Sequence, residues 1–209
     1  MQNINKLRFQ CIESNFVLEL ALLQKQHESC KKIMALCETG KTQLILPAYS
    51  LIEPYETTIR YAKERTKLSN ELGKEIRQLS RSKPYQQQID TMQEVTAFLV
   101  RSQEDEKERL RSTLNKLLTI AEVIPLKSEI ISSALTYQAA SDLSPQDSIV
   151  YASVLDHLRT STSTHRCFLN RNSKDFDDPD IVDTLKNLAC KMLFSFDHGY
   201  DFIANQIGA

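Results

Sequence analysis

The sequence predicts an α/β fold: a three-layer sandwich around a central parallel sheet, with a helical hairpin inserted into it. Three observations predict it. Residues 7–12 and 43–46 are short apolar stretches, and the tract between them has helical periodicity and stops at Gly40. Strand, helix, strand over about forty residues is the βαβ pattern of a parallel sheet. Residues 56–118 are then polar, charged and helix-favouring, broken once at Lys83-Pro84, which predicts two antiparallel arms. Beyond them, short apolar stretches alternate again with helical tracts, so the interrupted sheet resumes.

In order, the first strand ends at Glu13-Ser14-Asn15. One helix is expected to follow, with Phe16, Leu20, Leu23, Ile33, Met34 and Leu36 among its apolar positions. Pro47 closes the second strand, and Glu53 comes after it in LPAYSLIEPYET. The first arm is expected over residues 56–82 and the second from Tyr85 towards Leu118. The first carries eight basic residues (Arg60, Lys63, Arg65, Lys67, Lys74, Arg77, Arg81, Lys83) against Glu56, Glu64, Glu71 and Glu75. Such a stripe either solvates a helix, pairing with those glutamates at helical spacing, or holds a polyanion. The mixed run at 104–111 in the second arm reads as a solvated face.

A third strand is expected at 123–126 and a helix at 128–140. In LSPQDSIVYASVLDHL, Ser144 reads as an N-cap, Pro145 as the first helical residue and Asp147 as the third. Ile149, Ala152, Val154 and Leu155 bury one face of that helix. Asp147 either completes a capping box with Ser144 or presents a carboxylate to a metal ion, and the two roles are compatible. After a polar spacer at 160–164, residues 166–169 read as a fourth strand running into Asn170-Arg171-Asn172-Ser173-Lys174-Asp175-Phe176. Asp178-Pro179 caps a helix to about residue 190, residues 192–196 read as a last strand, and the tail carries no signal.

The net charge is −1 with 25% charged residues, so no global field points to nucleic acid and any basic surface is local. The five cysteines are scattered with no CxxC pair, which suits reduced thiols. His27 and Cys30 could share a helix face but lack a second pair at zinc spacing. No apolar run reaches membrane-span length and no signal-peptide pattern opens the chain, so a soluble cytoplasmic protein without membrane contact is expected.

Glu13, Glu53 and Asp175 each follow an expected strand, and Asp147 opens a helix leading towards one. In an open parallel sheet, ligands bind at the carboxyl ends of the strands. Carboxylates gathered there repel one another unless a cation intervenes, and oxygen-only donors favour Mg2+ or Mn2+. Such ions activate water and assist in-line displacement at phosphorus.

The order IESNFVLEL, LPAYSLIEPYE, LSPQDSIVYASVL, FLNRNSKDF resembles the PIN-domain nucleases, from about Leu7 to Phe196 and interrupted by the helical arms. The family has an Asp-Thr-Asn-like triplet after its first strand, a Glu after the second, an Asp in a phrase close to LSPQDAIVYA, and a Thr-Arg-Asn/Asp-x-x-Asp-Phe motif. The resemblance implies that Glu13, Glu53 and Asp147 are acidic metal-binding and catalytic residues, with Asn15 orienting the first. Asn172 falls where the family often has a fourth Asp, and Asp175 would supply that charge. Glu13 stands where Asp is usual and reaches about one methylene further. Asn170 stands where Thr or Ser is usual.

The resemblance thus implies a single PIN-like domain over residues 1–209, with the arms inserted at about 56–120. The implied activity is a Mg2+- or Mn2+-dependent endoribonuclease of toxin or defence type. The local basic excess of the first arm, rather than the resemblance, gives Arg60, Lys63, Lys74 and Arg77, with Arg171, as the residues expected to hold RNA. Other implied partners are an antitoxin or defence-system protein and a second copy of the chain. The rivals are a catalytically weakened PIN-like adaptor and a DNA-cutting or structure-specific nuclease.

Overall fold

The computed structural model describes residues 8–163 and 165–208. Leu7, the expected start of the first strand, Thr164, the expected end of the polar spacer, and both ends of the expected domain lie outside the described residues. In chain order the elements are β1 (Phe9–Ile12), α1 (Ser14–Ala21), α2 (His27–Glu38), β2 (Gln43–Pro47), α3 (Tyr49–Leu79), α4 (Gln86–Ile120) and β3 (Ala121–Ile124). There follow α5 (Ser128–Ser141), α6 (Pro145–Thr160), β4 (Arg166–Leu169), α7 (Ser173–Phe176), α8 (Pro179–Asn187), β5 (Cys190–Leu193) and α9 (Phe196–Gly208). A 3-10 turn at Lys83–Tyr85 joins the two long arms α3 and α4.

The five strands form one sheet in the order β3-β2-β1-β4-β5, every neighbouring pair parallel. The chain builds outward from β1 to β3, then crosses back to place β4 on the other side of β1. The topological switch point, where ligands gather in such sheets, therefore lies between β1 and β4.

The period-two alternation of the strands builds two separate cores. Phe9, Cys11, Ile45 and Phe168 point to one face and pack with Val150, Val154 and Leu155 of α6, Ile130 of α5 and Ile181 of α8. Ile12, Leu44, Leu46, Cys167 and Leu169 point to the other, against Phe16 and Leu20 of α1, Ile33 of α2, Leu117 of α4 and Phe196 of α9. Helix layers on both faces make the three-layer sandwich, and α3 with α4 is the hairpin inserted between β2 and β3.

Some boundaries differ from the expected ones. The single helix expected after β1 is two, because Leu23 takes a left-handed conformation (φ 50°) between α1 and α2. The break is held by distant contacts: the Gln26 N–H donates to Glu19 Oε2 at 2.7 Å, and Gln26 Oε1 accepts from the Phe196 N–H at 2.6 Å. The first arm begins at Tyr49 rather than residue 56, running through Pro54. Proline's missing N–H makes it a poor interior residue, which is why the sequence suggests a later start. The helix after Asp178-Pro179 stops at Asn187, and the last strand is Cys190–Leu193 rather than 192–196. The tail forms α9, whose Gly199 passes so close to Leu169 that a Cβ there would lie 2.7 Å from Cδ2.

Candidate active site

Each acidic candidate is positioned by the element that carries it. Glu13 leaves β1 and caps α1: its Oε2 accepts from the Asn15 N–H at 2.8 Å. Its Oε1 accepts from the Arg171 N–H at 3.2 Å, so the loop after β4 closes over it from the other side of the switch point. Only 7% exposed, its carboxyl is pushed up to about 7 by burial. The Asn15 and Arg171 hydrogen bonds oppose the shift, and the nearby Glu53 charge adds to it.

Glu53 lies in the second turn of α3, not in a loop after β2. Its Oε2 accepts a short hydrogen bond from the Ser14 hydroxyl. Burial raises its carboxyl above the usual range and the charges of Asp147 and Glu56 push the same way, while Ser14 and Arg60 oppose.

Asp147 sits at the start of α6 in the expected cap. Its N–H donates to Ser144 Oγ at 3.1 Å, and its Oδ2 accepts from the Ser144 hydroxyl at 2.6 Å. Its Oδ1 accepts from Asn172 Nδ2 at 3.3 Å. Burial raises this carboxyl too, with Asp175 adding to the shift and the Ser144 and Asn172 hydrogen bonds opposing it.

These side chains wall a cavity of about 290 Å³ at the carboxyl ends of the strands, lined by Glu13, Ser14, Asn15, Glu53, Glu56, Arg60, Asp147, Asn170 and Asn172 among others. Buried Asn170 uses its Oδ1 to accept from the Asn172 N–H at 2.7 Å, which shapes the loop. Asp175 stands beside this wall: its Oδ2 accepts from Asn172 Nδ2 at 2.7 Å, and its charge acts on Asp147.

The cationic candidates divide. Arg60 lines the cavity, whereas Lys63, Lys74 and Arg77 lie further along α3. Among the described residues of α3, Arg65 alone forms an ion pair, with Glu106 of α4 at 2.6 Å. The expected pairing of the other arm cations with Glu64, Glu71 and Glu75 is not formed. Arg171 turns its guanidinium to the fully buried Glu19, leaving its backbone N–H on Glu13.

Sequence reasoning missed Ser14, Glu19 and Glu56 as parts of this arrangement. Glu19 had one legible signal, a lone charge inside the apolar run of α1. Glu56 had another: it stands three residues after Glu53 and so shares its helix face.

The donor set is carboxylate, hydroxyl and amide oxygen, which fits a hard divalent cation, and a cation would relieve the three carboxyls that burial raises. Glu13, Glu53 and Asp147 are the residues that could hold it. Among the described residues, no group of three or more acidic, His or Cys side chains is gathered closely enough to hold a metal ion together. A small hard ion held by one or two carboxylates, with water completing its shell, suits such an open arrangement.

Substitutions can rank Asn172 against Asp175. Asn172 donates to both Asp147 and Asp175 and lines the cavity, so Asn172→Ala is expected to raise the metal concentration needed for half-activity by about 10–100-fold, and Asp175→Asn by less. A metal titration of each variant checks the order.

No helix among the described residues is long and apolar enough to cross a membrane. Comparison with curated proteins gave no match, and comparison with solved structures gave none either. A family model described as PIN domain matches residues 11–176, from within β1 to the end of α7, and so takes in all four acidic candidates and the inserted hairpin. With the all-parallel sheet and the acidic cavity at its switch point, that match over most of the chain shows that the protein belongs to the PIN-domain nuclease family.

Proposed function

We propose that the protein is a metal-dependent endoribonuclease in which Glu13, Glu53 and Asp147 hold Mg2+ or Mn2+. The observation that carries this reading is the cavity itself: three carboxylates, from the cap of α1, from α3 and from α6, all raised by burial, around one polar space at the sheet's carboxyl edge. A divalent ion bound there supplies a Lewis acid for a phosphodiester oxygen and acidifies a water. The protein's own groups do the rest. Ser14 holds Glu53, the Asn15 and Arg171 N–H groups fix Glu13, and Ser144 with Asn172 fixes Asp147. Asn170 shapes the loop that carries Asn172, and Asp175 contributes its charge from beside the wall. Arg60 offers a cation to a phosphate entering an otherwise acidic cavity, and Lys63, Lys74 and Arg77 continue the positive surface along α3. Arg171 contributes mainly through its backbone.

The whole chain is taken as one PIN-like domain with the hairpin as its insertion, acting in the cytoplasm. RNA is preferred to DNA from the habit of the family, as is a toxin or defence role with a neutralising or defence-system partner. A second copy of the chain is a further candidate partner. The open carboxylate arrangement favours one other reading, a PIN-like adaptor with weakened chemistry.

End-labelled RNA, single-stranded DNA and branched DNA, each incubated with Mg2+, Mn2+ or EDTA, tests the proposal. Internal cleavage of RNA in either metal, absent in EDTA, is the expected result. Preference for either DNA favours a DNA-cutting nuclease, and no cleavage of any substrate in either metal favours the adaptor.

A further inference from the structure

A second hollow lies apart from the acidic cavity. It is a groove of about 840 Å³ between the arms α3 and α4, with Tyr55, Ile59, Ala62 and Leu110 among its apolar walls. Ile52, Tyr55 and Ile59 follow one another at i, i+3 and i+7 on α3, and they are 53%, 45% and 52% exposed. On α4, the exposed Val100 and Leu118 share the helical phase of the groove residue Lys107, at spacings of seven and eleven residues, and lengthen the apolar surface. Isolated exposed apolar residues are ordinary, but a stripe along a groove marks a binding surface.

The rim is basic. Lys63, Lys67 and Lys74 line it without a carboxylate partner, Glu71 is the one unpaired acid beside them, and Lys107 stands 3.8 Å from Glu104. An apolar floor with a positive rim is complementary to an apolar stripe with acidic flanks. The span from Ile52 to Lys74 is about 33 Å along the helix axis, which accommodates a partner helix of about six turns.

We infer that the α3–α4 groove docks an amphipathic α-helix of a partner protein, carrying an apolar stripe at i, i+3/i+4, i+7 between acidic residues. The walls favour such a helix over RNA. Bases stack on aromatic faces, and among the apolar groove residues only Tyr55 is aromatic, whereas aliphatic side chains pack against Leu and Ile. The inference stands apart from the nuclease reading, although Lys63 and Lys74 belong to both surfaces and make RNA the rival occupant.

The test uses the full chain and a labelled helical peptide of about twenty residues, with Leu at the stripe positions and Glu on both flanks. A counterpart with Lys for every Glu is the control. The acidic peptide is expected to bind at least tenfold more tightly than the basic one. Ile59→Glu, a change at a half-exposed position that the fold tolerates, should weaken it at least tenfold, and Lys67→Glu should do the same. Equal binding of both peptides, or unchanged binding to Ile59→Glu, overturns the inference. So does self-association of the protein that Ile59→Glu abolishes, which would make a second copy the occupant. Binding of a short RNA that Ile59→Glu abolishes, with no affinity for the acidic peptide, overturns it in favour of nucleic acid.

Discussion

Asp147→Asn is expected to lower metal-dependent RNA cleavage by roughly two to three orders of magnitude while leaving the protein folded. Asparagine retains a side-chain oxygen to accept from Ser144 or Asn172, but it removes the charge that an ion at the cavity would use. Losing a carboxylate from the first turn of α6 costs about 0.3–1 kcal/mol of favourable interaction with the helix dipole. Relief of a carboxyl held above its usual range by burial and by Asp175 acts in the other direction. The melting temperature should therefore stay close to the parent's. Cleavage equal to the parent's in Mg2+ and Mn2+ would remove Asp147 from the metal site, and with it the reading of the cavity.

Glu13→Gln is expected to stabilise the metal-free protein as it abolishes activity. The Glu13 carboxyl is held near 7 in the folded chain against an ordinary value of 4.5, so folding favours its protonated form. Below about pH 4.5 it is protonated in both states and contributes nothing. As pH rises towards 7 the unfolded chain loses its proton first, and stability falls. Above 7 the full penalty stands, about 3 kcal/mol. Glutamine carries no charge and escapes this penalty, although its amide can accept from only one of the two N–H groups that Glu13 now serves. Urea unfolding in EDTA should show a variant close to the parent near pH 4.5 and more stable by about 1–3 kcal/mol at pH 8. Added Mg2+ or Mn2+ should narrow the gap by stabilising the parent alone. A variant less stable than the parent at pH 8 in EDTA contradicts the account.

What was legible in the sequence was what short-range rules determine. The short strands β1 and β4, and the Ser144-Pro145-Asp147 cap, each depend on residues within a few positions of one another, and each stands where the pattern indicates. The strand-end acids could be grouped because a parallel sheet gathers the ends of its strands. The break between α1 and α2 was not legible, because it is fixed by Gln26 reaching Phe196 and by Glu19 reaching Arg171. For the same reason the link between Asp175 and the cavity was not legible. The side chain that joins it to Asp147 is Asn172, whose amide serves two carboxylates at once. The tail had no periodic signal strong enough to separate it from a frayed end, yet α9 covers one core through Phe196 and Ile203.

The continuity of α3 has a mechanical consequence. One unbroken rod carries Glu53 in its second turn and ends at the tip of the hairpin, about 39 Å away. Its companion α4 passes into β3 without an intervening loop, so the hairpin is clamped to the edge of the sheet by a second stiff member. A load at the tip is therefore not absorbed by a flexible joint. It becomes a tilt of the rod about its clamped base, and that tilt is delivered to the cavity through Glu53 and through α1, which packs against both arms and holds Glu53 by its Ser14 hydroxyl.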